Sequence, residues 1–200
     1  MKHIFFSILV LISLISKAQE ATLLKANYSI CMPTSGKDYL KATSFRGFGV
    51  GFAKVFETGF TVGLEGNWNN FYEFVDKDTY YFTGGAITTS LYKYRQQIPV
   101  VLSLNYIFLR GSRINPYTGI GLGGTYIEDK LLFNANEFSE KNFGFLFQPK
   151  IGLAVSVNSD KSLHFFAEGA LNYSSNKSKT FEYHYSSSLN ISIGSYFLLR

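Results

Sequence analysis

The sequence predicts an all-β protein: a closed, antiparallel, up-and-down membrane-spanning barrel of eight strands. Three observations predict it. Apolar and polar residues alternate over long runs; no stretch beyond residue 18 approaches the roughly 18 apolar residues of a transmembrane helix; and rings and glycines abound while charge is scarce. Charged residues make up 16% of the chain, against about 25% in soluble domains. Fourteen Tyr and twenty Phe accompany one Trp and two Met, and rings sit better on a pleated surface than against a helical turn. If such a chain crosses a bilayer with strands, only closure into a barrel satisfies every backbone group.

The first element is a leader. Lys2 and His3 precede a predominantly apolar run from Ile4 to Ile15, and Ser16-Lys17-Ala18 supplies the small residues of a cleavage site. We therefore expect a signal peptide over 1–18 and a barrel domain over 19–200. Without Lys2 and Lys17, 17 basic residues stand against 14 acidic ones, a net charge of +3, too mild for a nucleic-acid partner. Cys31 is the single cysteine, so neither an intramolecular disulfide nor a thiolate metal cluster can form.

Eight strands follow in order: Leu23–Met32, Arg46–Phe56, Phe60–Tyr72, Thr88–Phe108, Asn115–Leu132, Asn142–Val157, Leu163–Tyr173 and Glu182–Leu198. The last is the clearest, with Tyr183, Tyr185, Leu189, Ile191, Ile193 and Phe197 on one face and His184, Ser186, Ser188, Asn190, Ser192 and Gly194 on the other. Connections alternate in length. Glu57–Gly59, Leu109–Ile114 and Asn158–Ser162 are short, whereas Pro33–Phe45, Glu73–Ile87, Phe133–Lys141 and Ser174–Phe181 are long, the pattern of barrels with short turns on one side and loops on the other. Pro99 and Pro149 fall inside strands and predict β-bulges.

Composition assigns the faces. A solvent-washed outer face carries Lys and Glu, yet the polar phase here is rich in Gly, Ser, Asn and Thr, which suits a crowded lumen. Trp68, Tyr72, Tyr92, Tyr94, Tyr126, Tyr173, Tyr183 and Tyr185 mark one expected aromatic girdle; Phe56, Phe60, Tyr106, Phe108 and Phe197 mark the other. Gly47, Gly49 and Gly51, with Gly119, Gly121 and Gly123, thin the wall opposite large side chains. Spaced by two and followed by no helix, they do not make a nucleotide fingerprint.

The Ala18-Gln19 junction, Thr43–Phe48, Gly63–Asn69, Ile98-Pro99-Val100 and Pro116–Gly123 together resemble the small outer-membrane β-barrel family common in Bacteroidota, whose wider relatives include the OmpA-type eight-stranded barrels of Gram-negative bacteria. The final strand resembles the signal read by the barrel-assembly machinery, although Leu198-Leu199-Arg200 follow Phe197 where that signal usually ends in an aromatic. The resemblance implies an address in the outer membrane, lipid and lipopolysaccharide as surroundings, and the assembly machinery as a partner during insertion. It implies no activity and no cofactor.

The lumen-facing ionisable residues are then Lys25, Glu65, Lys93, Arg95, Lys150, His164, Glu168 and His184. An eight-stranded barrel is only wide enough for side chains to fill, and unpaired buried charges are costly. We expect Lys25, Lys93, Arg95 and Lys150 to pair across the lumen with Glu65 and Glu168, giving a closed barrel of structural or interaction type. A narrow anion-preferring channel lined by Lys93, Arg95 and Lys150 is the alternative. A barrel hydrolase using His184 with Ser186 or Ser188 and Glu182 is a second, and a soluble lipocalin-like carrier with the apolar face inside is a third. Glu73, Asp76, Asp78, Asp129 and Lys130 are expected as loop contacts, either a solvated rim or a cation bridge to lipopolysaccharide phosphates.

Overall fold

The computed structural model describes residues 19–35, 39–82, 84–134 and 136–199; the expected leader lies outside them. Eight strands form the barrel: β1 (Gln19–Pro33), β2 (Ser44–Phe56), β3 (Phe60–Phe82), β4 (Gly85–Ile107), β5 (Ile114–Phe133), β6 (Asn136–Ser156), β7 (Leu163–Ser174) and β8 (Ser186–Leu199). Each pairs antiparallel with the next, and β1 pairs with β8 to close the ring. No sheet edge is left unpaired, the condition for strands to stand in hydrocarbon.

The alternation resolves into an apolar outside and a polar inside. Leu64 is 56% exposed, Leu102 60% and Ile193 57%. Between them on the same strands, Glu65, Ser103 and Ser192 are buried. A lipocalin-like carrier needs the opposite arrangement, so that reading is withdrawn. Rings pair across strands at both ends of the apolar band, Phe48 with Trp68 and Tyr72 with Tyr94 at one, Phe60 with Tyr106 at the other. Glycine thins the wall where polar side chains crowd it: a Cβ on Gly49 would lie 2.0 Å from the Asn67 amide oxygen, and one on Gly47 2.3 Å from the Ser29 hydroxyl.

Two expectations about the backbone are corrected. Pro99 and Pro149 cause no bulge. The β3–β4 register runs unchanged from Gly66↔Val100 to Asn69↔Gln97, and the β6–β7 register from Phe147↔Tyr173 to Lys150↔Ala170. Each proline only interrupts the ladder on one side, because an antiparallel residue sends its N–H to one neighbour alone. Register shifts occur instead at Gln19/Ala21, Ser29/Cys31 and Val75/Asp78. Secondly, Glu73–Ile87 and Phe133–Lys141 are not loops. Strands β3 and β4 run on for 23 residues each, β5 for 20 and β6 for 21, well past the roughly 9–11 that cross a bilayer. Cross-strand pairs carry the extension: Phe74 with Tyr92, Phe133 stacked on Phe138, and the Thr79 and Thr88 hydroxyls 2.8 Å apart. Gly84 and Asn134, both at positive φ, mark the tight turns that close these hairpins.

Candidate functional site in the barrel interior

Side chains fill the lumen in layers. At the level of the apolar band, four ionised residues from four strands meet. Lys25 Nζ lies 2.9 Å from Glu65 and 2.9 Å from Glu168, while Lys150 Nζ lies 2.6 Å from the other oxygen of Glu65. Tyr117 donates its hydroxyl proton to Glu168 at 3.0 Å, and the Lys25 ammonium sits 4.7 Å from the centre of the Phe166 ring. Two cations and two anions leave the layer neutral. Each carboxylate accepts at least two charge-assisted or hydroxyl donors, which is what makes burial of four charges tolerable. A void of about 40 Å³ borders Lys25, Glu65, Tyr117 and Glu168, room for little more than a water or two.

Above this layer amides and hydroxyls take over. Asn27 donates to Asn67 at 3.1 Å and Ser29 to Asn69 at 3.0 Å; across the lumen Gln148 donates to Asn172 at 2.6 Å and Asn172 to Ser188 at 3.1 Å. Neutral polar groups of this kind tie strands together without a charge to desolvate.

This layered, ring-closed arrangement can be compared with known proteins. No family model matches the chain, and no curated protein matches its sequence. Solved structures do match. Neisserial surface protein A superposes with a TM-score of 0.55 at 14% identity over 88% of this chain and 95% of that one. The attachment invasion locus protein Ail of Yersinia pestis, in complex with the heparin analogue sucrose octasulfate, gives 0.52 at 11% identity over 90% and 97%. A major outer membrane protein of Thermus thermophilus gives 0.56 at 8% over 90% and 100%. The fold is that of the small outer-membrane barrels.

Over the hairpin end of this barrel lies a third layer that the sequence pattern does not announce. Residues 39–43 and 175–185, from the connections of the four shorter strands, turn inward and meet as a cap. Tyr39 and Phe181 pack with ring centres 4.3 Å apart, and with Cys31, Leu40, Phe71 and Tyr183 they form an apolar cluster inside the mouth. Each large side chain so buried contributes about 1.5–3 kcal/mol. The taller strands hold the cap by its polar groups. Arg95 grips Asp129 with two nitrogens, at 2.6 and 3.1 Å, and Tyr183 donates to the same carboxylate at 2.8 Å. Tyr39 donates to the Lys130 carbonyl at 2.8 Å. Glu73 accepts the backbone N–H groups of Lys41 and Ala42, and Glu140 accepts from the Ser178 hydroxyl at 2.7 Å and the Thr180 N–H. Burial, then the Asp129 charge, push the Tyr39 and Tyr183 phenols up, so both remain donors at any physiological pH.

Several expected positions move accordingly. Lys93 and Arg95 do not join Glu65 and Glu168: they stand midway along β4, at the level of the cap, where Arg95 meets Asp129 and Lys93 lies 5.7 Å over the Tyr39 ring. Asp129 is not a loop contact. It is fully buried, because β5 continues through this level and its alternation aims the carboxylate inward. Glu73 likewise faces the cap from β3, whereas Asp76 and Asp78 are exposed on the β3 extension. Lys130 points outward, 3.2 Å from Glu128. Tyr183 leaves the girdle for the interior, bridged to Ser178 within its own connection, and the alternation shifts phase at His184 and Tyr185, both exposed, before β8 begins at Ser186. His184 is exposed while Ser186 and Ser188 are buried, an arrangement that brings no base to a hydroxyl. His164, at the opposite end, is buried and stacked on Tyr196 with ring centres 4.6 Å apart.

Proposed function

We propose that this chain is exported by its leader to the outer membrane of a Gram-negative cell and serves there as a non-enzymatic barrel of structural or interaction type, closed to ions and solutes. The neutral Lys25–Glu65–Lys150–Glu168 layer carries this reading. It bridges the lumen from β1, β3, β6 and β7, and an ion could pass only by breaking pairs at 2.6–2.9 Å in a low-dielectric interior, where an uncompensated charge is costly. The cap adds a second barrier. The stretches that resemble small Bacteroidota barrels support the address, as does the greasy outer belt between two sets of rings. In this orientation the short turns face the periplasm and the tall hairpins stand outside the cell.

The contact surface is then the outer flank of those hairpins rather than flexible loops. Lys130 and Lys141 both lie against Glu128, at 3.2 and 3.7 Å, and Lys130 stands in register with Tyr94 of the ring pair, where a cation can meet the phosphates of the lipopolysaccharide head groups. The full chain, folded by the barrel-assembly machinery and reconstituted in a planar bilayer, tests the central claim. No stepwise current is expected. Reproducible unitary conductance, scaling with electrolyte concentration, would establish a channel instead.

A further inference from the structure

The outer flank of β2, β3 and β4 carries polar and aromatic side chains in an order that lipid alone does not require. Phe48 and Trp68 close the apolar band as an interfacial girdle does. Next beyond them on the outward phase, Arg46 stands opposite Asn70, and Asn70 opposite Gln96. A second set of rings then stands beyond this polar row. Tyr72 pairs with Tyr94 and Phe74 with Tyr92, each at 5.1 Å between ring centres, and the four rings are 39–46% exposed. Successive outward residues lie about 7 Å apart along a strand, so the two ring pairs form a shelf that climbs away from the bilayer. An apolar patch outside hydrocarbon marks a contact surface.

At the foot of the shelf is a groove of about 340 Å³, lined by Arg46, Asn70, Tyr72, Tyr94 and Gln96, with Glu128 and Lys130 of β5 on its far side. The Trp68 indole donates to the Asn70 amide oxygen at 3.1 Å, which holds the amide and leaves its nitrogen to donate. Lys130 rests on Glu128 and Glu137, and Lys141 on Glu128, whereas no described carboxylate pairs with the exposed Arg46 guanidinium. An Arg fork beside two amide N–H donors matches the oxygens of a phosphate. A tyrosine ring offers an apolar face beside a hydroxyl, which suits a sugar, apolar on its C–H face and polar at its rim. Apolar band, phosphate donors and ring shelf follow one another as tails, phosphate and outer sugars do in a glycolipid standing in the leaflet.

We propose that this flank binds one phosphorylated glycolipid of the outer leaflet, its phosphate on Arg46, Asn70 and Gln96 and its sugar rings stacked on Tyr72, Tyr94, Phe74 and Tyr92. The site deepens the lipopolysaccharide contact proposed above and rests on the same orientation of the barrel; it does not depend on whether the lumen conducts. A soluble phosphosugar would gain nothing from a shelf set in register with the apolar band.

The test is a titration of the full chain, folded in phosphatidylcholine nanodiscs with a rising fraction of monophosphoryl lipid A, read by backbone amide shifts of Asn70, Tyr72, Tyr94 and Gln96. Saturable shifts are expected, with an affinity at least about tenfold above that for phosphatidylglycerol, which carries the phosphate without the sugar. The double variant Tyr92→Leu/Tyr94→Leu, which keeps the flank apolar, and the single variant Arg46→Gln are each expected to bind at least about tenfold more weakly, with folding checked by heat-dependent gel mobility. Equal affinity for phosphatidylglycerol, undiminished binding by the ring variant, or no saturation would overturn the site, and equally tight binding of glucose 1-phosphate in plain discs would overturn its lipid source. Should a variant fail to fold, the comparison of lipids on the wild-type chain decides alone. Trypsin added to intact cells reads the orientation separately and is expected to cut after Lys77, exposed on the β3 extension. Protection of Lys77 would withdraw the orientation; failure in the discs with Lys77 cut would withdraw the site alone.

Discussion

Strands β3 to β6 and strands β7, β8, β1 and β2 are two halves of one ring that solve the same problem differently. The second half uses 12, 14, 15 and 13 residues, enough to cross a bilayer at a tilt and little more. The first half runs to between 20 and 23, and its surplus of about 8 residues per strand rises beyond the lipid at roughly 3.3 Å each. Where the strands are short the connections are long, and where they are long the connections are tight turns. Residues 39–43 and 175–185 of the long connections fold inward and lean on the tall wall, which receives them with Glu73, Asp129 and Glu140. The difference teaches where the charge goes: carboxylates that look like a solvated rim in one dimension are anchors for the other half's loops in three.

The sharpest way to break this asymmetry is to remove the anchor with the most partners. Asp129→Ala leaves the Arg95 guanidinium buried without its carboxylate, and we expect a loss of about 3–5 kcal/mol in urea unfolding followed by gel mobility. The double replacement Arg95→Met/Asp129→Leu should recover most of it, because the desolvation cost disappears with the charges. Retention of full stability by the single variant would mean that the tall wall does not hold the cap.

Next in size is Tyr183→Phe, which removes the hydrogen bond donated to Asp129 and the one accepted from the Asn142 amide at 3.0 Å, and keeps the ring in its cluster. A cost of about 1.5–3 kcal/mol is expected, together with faster proteolysis within 175–185 and unchanged protection of 39–43. Equal loosening of both segments would show that the cap moves as one body.

The smallest effect is pH-dependent. Burial alone would raise the Glu140 carboxyl, but hydrogen bonds from Thr180 and Ser178 hold it below its ordinary value of 4.5. A carboxyl lowered in the folded state contributes stability that is complete above 4.5 and is lost as the pH falls through the lowered value. Amide exchange in 175–185 should therefore quicken on acidification beneath that point, and Glu140→Gln should abolish the dependence. An identical pH profile in the variant would assign the effect to another group.

The periodic signal made much of this legible. Eight strands, their order, the outward apolar face and the inward direction of Lys25, Glu65, Lys150 and Glu168 all follow from alternation, and the glycines at 47 and 49 follow from the crowding that alternation implies. The errors lie where alternation falls silent. Asp76-Lys77-Asp78 and Asn134-Ala135-Asn136-Glu137 read as loops, because neither is apolar on any phase. Outside lipid, however, a strand needs no apolar phase, only a partner in register and a few ring or threonine pairs. Tyr183 is misplaced for the complementary reason: the phase shifts at the two successive exposed residues His184 and Tyr185, and nothing in their names announces it.

By itself the sequence determined a ring of eight strands with grease outside and polar groups within, because side-chain direction in a strand is set by parity, which is a local property. Only the tertiary structure decided which ions meet, that Arg95 belongs to Asp129 rather than to the lumen carboxylates, and that two connections close one mouth while Arg46, Asn70 and Gln96 align across three strands of the flank. Those outcomes depend on strand length, shear and the folding of loops across the ring. They join residues far apart along the chain, and no local pattern encodes such a distance.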